Sequence, residues 1–157
     1  MENSVYMYLG VKQAQKTMRE NIGGPFGAVI KDANDEIIAV ASNTVLGSHD
    51  PTAHAEINAI REAAKKLGTH DLSGCTLYAT GYPCPMCLSA IIWANIKTVY
   101  FGCTPEDADK IGFRDDFIYK FINEGCSDET TMKLIPLSRD YCLTLFNEYE
   151  ESNKQIY

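Results

Sequence analysis

The 157 residues carry 14 Lys plus Arg against 21 Asp plus Glu, a formal charge of -7, with 45% hydrophobic and 22% charged residues. These fractions exclude a disordered or fibrous chain, and the length suits one domain over residues 1–157 with a single sizeable core. The acidic balance repels a phosphate backbone and speaks against a nucleic-acid partner unless a local basic patch overrides it.

Met1 to Gly10 shows neither a basic n-region nor an apolar h-region, and no run approaches the ~18 apolar residues of a membrane span. The expectation is a cytoplasmic protein without a membrane partner. Cys75, Cys103, Cys126 and Cys142 lie apart from one another in apolar contexts and read as reduced thiols.

In chain order, Asn3 or Ser4 caps a first helix to about Glu20, with Val5, Leu9, Ala14 and Met18 roughly on one face. Gly23-Gly24-Pro25-Phe26-Gly27 is a shaped loop, either a plain turn before a strand or a segment that leads the chain close to a ligand. Phe26–Lys31 and Glu36–Thr44 are β-rich runs joined by the turn composition Asp32-Ala33-Asn34-Asp35, a hairpin. Asn43 ends the second run with an amide that both donates and accepts, as reading the edge of a heterocycle requires.

Asp50 or Thr52 caps a helix over Ala53–Leu67 that stops at Gly68, which places His54 and Glu56 in its first turn. Cys75–Thr80 is a third strand. A helix entered at Pro83–Pro85 puts Cys84 and Cys87 on one face, and the apolar run Leu88–Ile96 reads as a helix buried on several sides, in the core or at a subunit interface. Trp93 within it suits either a core position or a stacking wall. Lys97–Gly102 is a fourth strand, Thr104 caps a helix over Pro105–Lys110, and Asp115–Ile122 is helical. A fifth strand, Thr130–Leu137, and a helix from about Asp140 to Glu151 complete an α/β three-layer domain with a five-stranded mixed sheet.

The chemistry lies in His54-Ala55-Glu56 and Pro83-Cys84-Pro85-Met86-Cys87. One imidazole and two thiolates suit zinc, and three ligands leave a fourth tetrahedral position open. Taken alone, Cys84-x-x-Cys87 also fits a redox pair or half a structural zinc site. With His54 and Glu56 upstream and both segments opening helices, it fits the zinc nucleobase deaminase signature. One zinc per chain would lower the pKa of a bound water from 15.7 to about 7, and Glu56 would carry the proton to a ring nitrogen.

On these residues, together with Gly23–Val29, Asp50–Glu56 and Phe117-Ile118-Tyr119-Lys120, the chain resembles the cytidine deaminase superfamily, and within it the small guanine deaminases of bacteria. The resemblance implies a zinc-dependent aminohydrolase of purine metabolism that converts guanine to xanthine and ammonia. Its alternatives are a deaminase of another base or nucleoside, or an RNA-acting adenosine deaminase subunit. It further implies zinc on His54, Cys84 and Cys87, catalysis by Glu56 and Asp115, and substrate contacts at Phe26, Asn43, His54, Ala55, Trp93 and Tyr157. Asp116 rivals Asp115, and Arg114 would depress whichever it pairs with. The resemblance also implies a homodimer that exchanges a C-terminal segment, roughly 112–157, so that Asp115 and Tyr157 complete the partner's site.

Overall fold

A close approach between two glycines sets how the first helix meets the sheet. The computed structural model describes residues 2–157, which divide between Asp116 and Phe117 into two compact units. The first unit opens with helix α1, Asn3–Arg19, whose buried residues are Tyr6, Gly10, Ala14 and Thr17. The expected face is corrected: Val5 and Met18 are exposed. A Cβ on Gly27 would lie 2.0 Å from the Gly10 carbonyl oxygen, so helix and strand meet at a distance that only glycine permits. That contact turns α1 towards its small residues. Neither Asn3 nor Ser4 is the cap, because the N-cap is Glu2. The Asn3 Oδ1 instead accepts from the Tyr78 hydroxyl at 2.6 Å.

Strands β1, Gly27–Lys31, and β2, Ile37–Ser42, pair as an antiparallel hairpin with an irregularity between Ile30 and Lys31. Asp32 Oδ1 closes the turn by accepting from the N–H groups of Asn34 and Glu36 at 2.8 and 2.9 Å, and Asp35 takes the left-handed step at φ 65°. Such Asx turns are why Asp and Asn dominate these positions. A short helix α2, Val45–Ser48, follows, which the sequence pattern does not reveal. Helix α3 runs over Ala55–Leu67 and stops at Gly68 in the left-handed conformation. Its N-cap is His54, not Asp50 or Thr52; Asp50 accepts from the Thr52 N–H and hydroxyl at 2.8 and 2.7 Å in the turn before it.

Strand β3, Thr76–Gly81, lies antiparallel to β1. After helix α4, Pro85–Trp93, strand β4, Thr98–Cys103, pairs parallel with β3. The sheet is mixed and has four strands in the order β2-β1-β3-β4, not five. Because β2 and β3 both oppose β1, strands β2, β3 and β4 all point the same way. Their carboxyl ends share one edge, from which α3 and α4 both start.

The pleat alternates side chains between two faces. Ala28, Ile30, Ile38, Leu77 and Ala79 face Ala55, Ala59 and Ala63 of α3 and Ile91 of α4. Val29 and Tyr78 face Tyr6 of α1, with the Tyr6 and Tyr78 rings stacked at 4.7 Å. The α/β/α layering therefore stands. Full burial of Ile30 or Leu77 contributes about 1.5–3 kcal/mol each. Helix α5, Pro105–Lys110, completes this part of the chain; its cap Thr104 and Asp107 each bond the other's backbone N–H.

Helix α6, Asp116–Asn123, crosses into the second unit, which also holds helix α7, Arg139–Glu151. Between them the expected fifth strand is absent: residues 132–138 carry no regular structure. The alternation of side chains at Thr130–Leu137 is that of a strand, but a strand exists only where a neighbour supplies the backbone ladder. Here Asp128 turns the chain by accepting from the Thr130 N–H and hydroxyl at 3.0 and 2.7 Å. All six cysteines are free thiols. Among the described residues no helix is long and apolar enough to cross a membrane.

Candidate active site

His54 and Cys84 are the N-caps of α3 and α4. Both adopt extended backbone conformations, so each side chain projects ahead of its helix. Two helix N-termini thus converge, and their unpaired N–H groups and positive dipole ends favour thiolate and carboxylate. His54 Nδ1 lies 3.6 Å from Cys84 Sγ and 3.5 Å from Cys87 Sγ. All three ligand atoms fall within 4.8 Å of one another. The donor set can be tested against zinc directly. Bond lengths of about 2.3 Å to sulfur and 2.0–2.1 Å to nitrogen at a tetrahedral angle require about 3.6 Å between N and S. The residues fit the metal, and three ligands leave one position open.

Glu56, in the first turn of α3, is 7% exposed. Burial pushes its carboxyl above the ordinary range, and the negative charge at Cys84 adds to that. Its Oε2 accepts from the Cys87 thiol at 3.5 Å. Cys87 also hydrogen-bonds Cys84, which holds Cys84 down to about 4 and drives Cys87 up. The hydrogen bond to Cys84 raises His54. A buried carboxyl raised in this way is suited to both taking and returning a proton.

Asn43 is buried, and its Oδ1 is already engaged by the N–H groups of Gly24 and Val45 at 3.2 and 3.1 Å. Its expected double role is therefore corrected: Oδ1 serves the backbone, and Nδ2 is left as the donor. The Asn43 N–H donates to the Phe26 carbonyl at 3.0 Å, which ties both candidates together. Asn58 was not legible as a site residue. Its Nδ2 donates to the Ser42 carbonyl at 2.9 Å and the Thr44 hydroxyl at 3.0 Å, bracketing Asn43. Its position four residues after His54, on the same helix face, was the available signal. The Ala55 side chain is fully buried in the core, so what it has to offer a substrate is backbone.

The Phe26 ring lies against Gly81, whose added Cβ would stand 3.4 Å from it. Phe113, a residue the sequence pattern passed over, meets Phe26 edge-on with centroids 5.1 Å apart. Arg114 pairs with Asp116 at 3.0 Å and Asp109 at 3.1 Å. Asp115, half-buried, is raised by burial and then by the Cys84 charge of the same chain. Trp93 is 74% exposed at the last residue of α4. Cys87, the nearer ligand on α4, lies six residues earlier, about 9 Å along the helix at 1.5 Å per residue. Tyr157 ends the second unit and is exposed.

Residues 1–103 match the cytidine and deoxycytidylate deaminase zinc-binding region. The chain belongs to this deaminase family. Among its relatives, guanine deaminase of Bacillus subtilis (strain 168) is 47% identical over 131 residues, 83% of each chain. The tRNA-specific adenosine deaminase of the same organism is 43% identical over 101 residues, 64% of this chain and 62% of that one. The solved structure of guanine deaminase from Bacillus subtilis superposes with a TM-score of 0.93 at 41% identity, covering 100% of this chain and 99% of that one.

Proposed function

We propose that this protein is a zinc-dependent guanine deaminase, hydrolysing guanine to xanthine and ammonia. The observation that carries this reading is coverage. The solved structure of guanine deaminase covers 100% of this chain at a TM-score of 0.93, whereas that of a tRNA:A34 deaminase covers 66% of it at 0.63. Asn43 adds chemical support, since its free Nδ2 donors suit an edge that accepts, such as guanine's carbonyl oxygen and N7. Adenine presents an amine where guanine has that carbonyl.

When bound, zinc lowers the pKa of a coordinated water to about 7 and so supplies the nucleophile. His54, Cys84 and Cys87 hold the metal. Glu56 accepts the water's proton at its carboxylate and delivers it to the ring nitrogen beside C2, which readies that carbon for attack. Asp115 is the second proton carrier and helps convert the exocyclic amine to departing ammonia. It acts on the site of its own chain. The backbone N–H groups at the starts of α3 and α4 hold fixed dipoles around the developing charge. Phe26 walls the base and Asn43 orients it, while Tyr157, by exchange of the C-terminal segment, closes over the site of the partner subunit.

We infer further that the protein acts in the cytoplasm as a homodimer in which the C-terminal segment beyond Asp116 is exchanged, which leaves Asp115 with its own chain's site. The support is twofold. β4 is an edge strand that exposes Tyr100 and Phe101, α4 exposes Ile92 and Trp93, and the irregular segment 132–137 exposes Met132, Leu134, Ile135 and Leu137. Unpaired edges and apolar patches of this kind call for a covering chain. Trp93 then belongs to the partner-facing surface.

Ammonia release from zinc-loaded protein, offered guanine, guanosine, adenine, cytosine and a tRNA anticodon stem-loop, tests the substrate. Guanine is expected to be turned over fastest; preference for the stem-loop would refute the reading. Light scattering after gel filtration tests the dimer, and a monomeric mass at micromolar concentration would refute it.

A further inference from the structure

Residues 111–115 turn the chain between α5 and α6, and the charged side chains in and beside this turn do unequal work. The Gly112 N–H donates to the Asp109 carbonyl at 2.9 Å, and the Phe113 N–H to the Ala108 carbonyl at 3.0 Å, with Gly112 at φ 96°. Arg114 lies between two acids. Its Nε contacts Asp109 Oδ1 at 3.1 Å and Asp116 Oδ1 at 3.3 Å, and its Nη2 donates to Asp116 Oδ2 at 3.0 Å. Asp115 stands between these ion-paired residues, and among the described residues it has no ion pair of its own. Phe113 supplies the other anchor, edge-on to Phe26. A Cβ on Gly24 would meet both rings, at 3.2 and 3.3 Å, so the loop that holds Asn43 and the turn that holds Asp115 share one aromatic contact.

We propose that Arg114 is a positioning residue for the deamination: by engaging Asp109 and Asp116 it fixes the turn, with Phe113 seated on Phe26, so that Asp115 alone is directed to the metal ligands. This rests on the reading of Asp115 as the second proton carrier. The ion pairs are exposed, and such pairs add little to global stability. Their use is geometric, because a planar guanidinium held by two carboxylates has few orientations left. A misplacement of about 1 Å at a proton carrier costs up to 10²-fold in rate. Lys cannot make the same fork, so Arg is required where Lys would satisfy charge alone.

The test is a double-mutant cycle on the zinc-loaded protein with guanine, using R114Q, R114K, D115N and R114Q/D115N. The expected result is a kcat about tenfold lower in R114Q, with KM within about twofold, zinc content and Tm unchanged, and partial recovery in R114K. The double variant is expected to be no slower than D115N alone, since Arg114 acts through Asp115. A double variant slowed by the full R114Q factor overturns the proposal, as does R114Q with wild-type kcat. D115N at wild-type rate sinks the reading of Asp115 itself, and the proposal with it. Hydrogen exchange gives a readout independent of substrate: the Phe113 amide is expected to exchange faster in R114Q, and unchanged exchange overturns the proposal.

Discussion

Gly23 offers a sharp test of how the site is held. An added Cβ there would lie 1.9 Å from the Asn43 carbonyl oxygen, 2.4 Å from its carbon and 2.6 Å from Oδ1. Ordinary contact begins at 3.4 Å, so Gly23→Ala must separate the loop from Asn43 by about 1.5 Å. The two nearest of these atoms are backbone, which cannot swing aside as a flexible side chain does. The separation breaks the Gly24 N–H bond to Oδ1 at 3.2 Å and releases the amide to flip or rotate. Displacement of a positioning group by 1 Å or more costs about 10²-fold in kcat/KM, or about 2.7 kcal/mol of activation free energy. Gly27→Ala is the matched control. Its Cβ meets the Gly10 carbonyl oxygen at 2.0 Å, so the same conflict falls on the contact between α1 and β1. That variant is expected to lose about 1–3 kcal/mol of stability. Steady-state kinetics with guanine, zinc content and thermal melts of both variants decide the matter. Gly23→Ala with wild-type kcat/KM would show that the loop does not hold Asn43.

Other outcomes follow from the same geometry. Glu56→Gln is expected to keep one zinc per chain, by atomic absorption, and to lose about 10²–10⁴-fold in kcat; normal turnover would leave the buried carboxyl without a role. Asp115→Asn is expected to lower kcat more than Asp116→Asn, since Arg114 already neutralises Asp116, and the reverse order would reassign the second carrier. Chelation is expected to abolish ammonia release and addition of zinc to restore it, with thiol titration showing Cys84 and Cys87 exposed to reagent only in the metal-free protein. Acid stability is expected to depend on Asp71, whose carboxyl is held below the ordinary 3.8 by hydrogen bonds from Ser73 and Asn95. A folded-state pKa below the unfolded one contributes stability that is complete above pH 3.8 and lost as pH falls through the lowered value. Asp71→Asn is expected to flatten the pH dependence of Tm below that point, and an unchanged slope would refute it.

Taken alone, the sequence determined the metal ligands, the first-turn placement of Glu56, the hairpin and the helices other than α2. The hairpin and the helices depend on turn formers and periodicity that act within a few positions, and His54, Cys84 and Cys87 have a chemistry few other side chains share. Tertiary structure decided what depends on a partner from elsewhere in the chain. The face of α1 followed from a glycine pair 17 positions apart, which no apolar pattern encodes. Asn43 lost its acceptor to Gly24 and Val45, and Arg114 chose Asp116 and Asp109 over Asp115; both outcomes are settled by which atoms come within hydrogen-bond reach. Thr130–Leu137 has the alternation of a strand and none of its pairing, because side chains specify which face is apolar while a neighbouring backbone must supply the ladder.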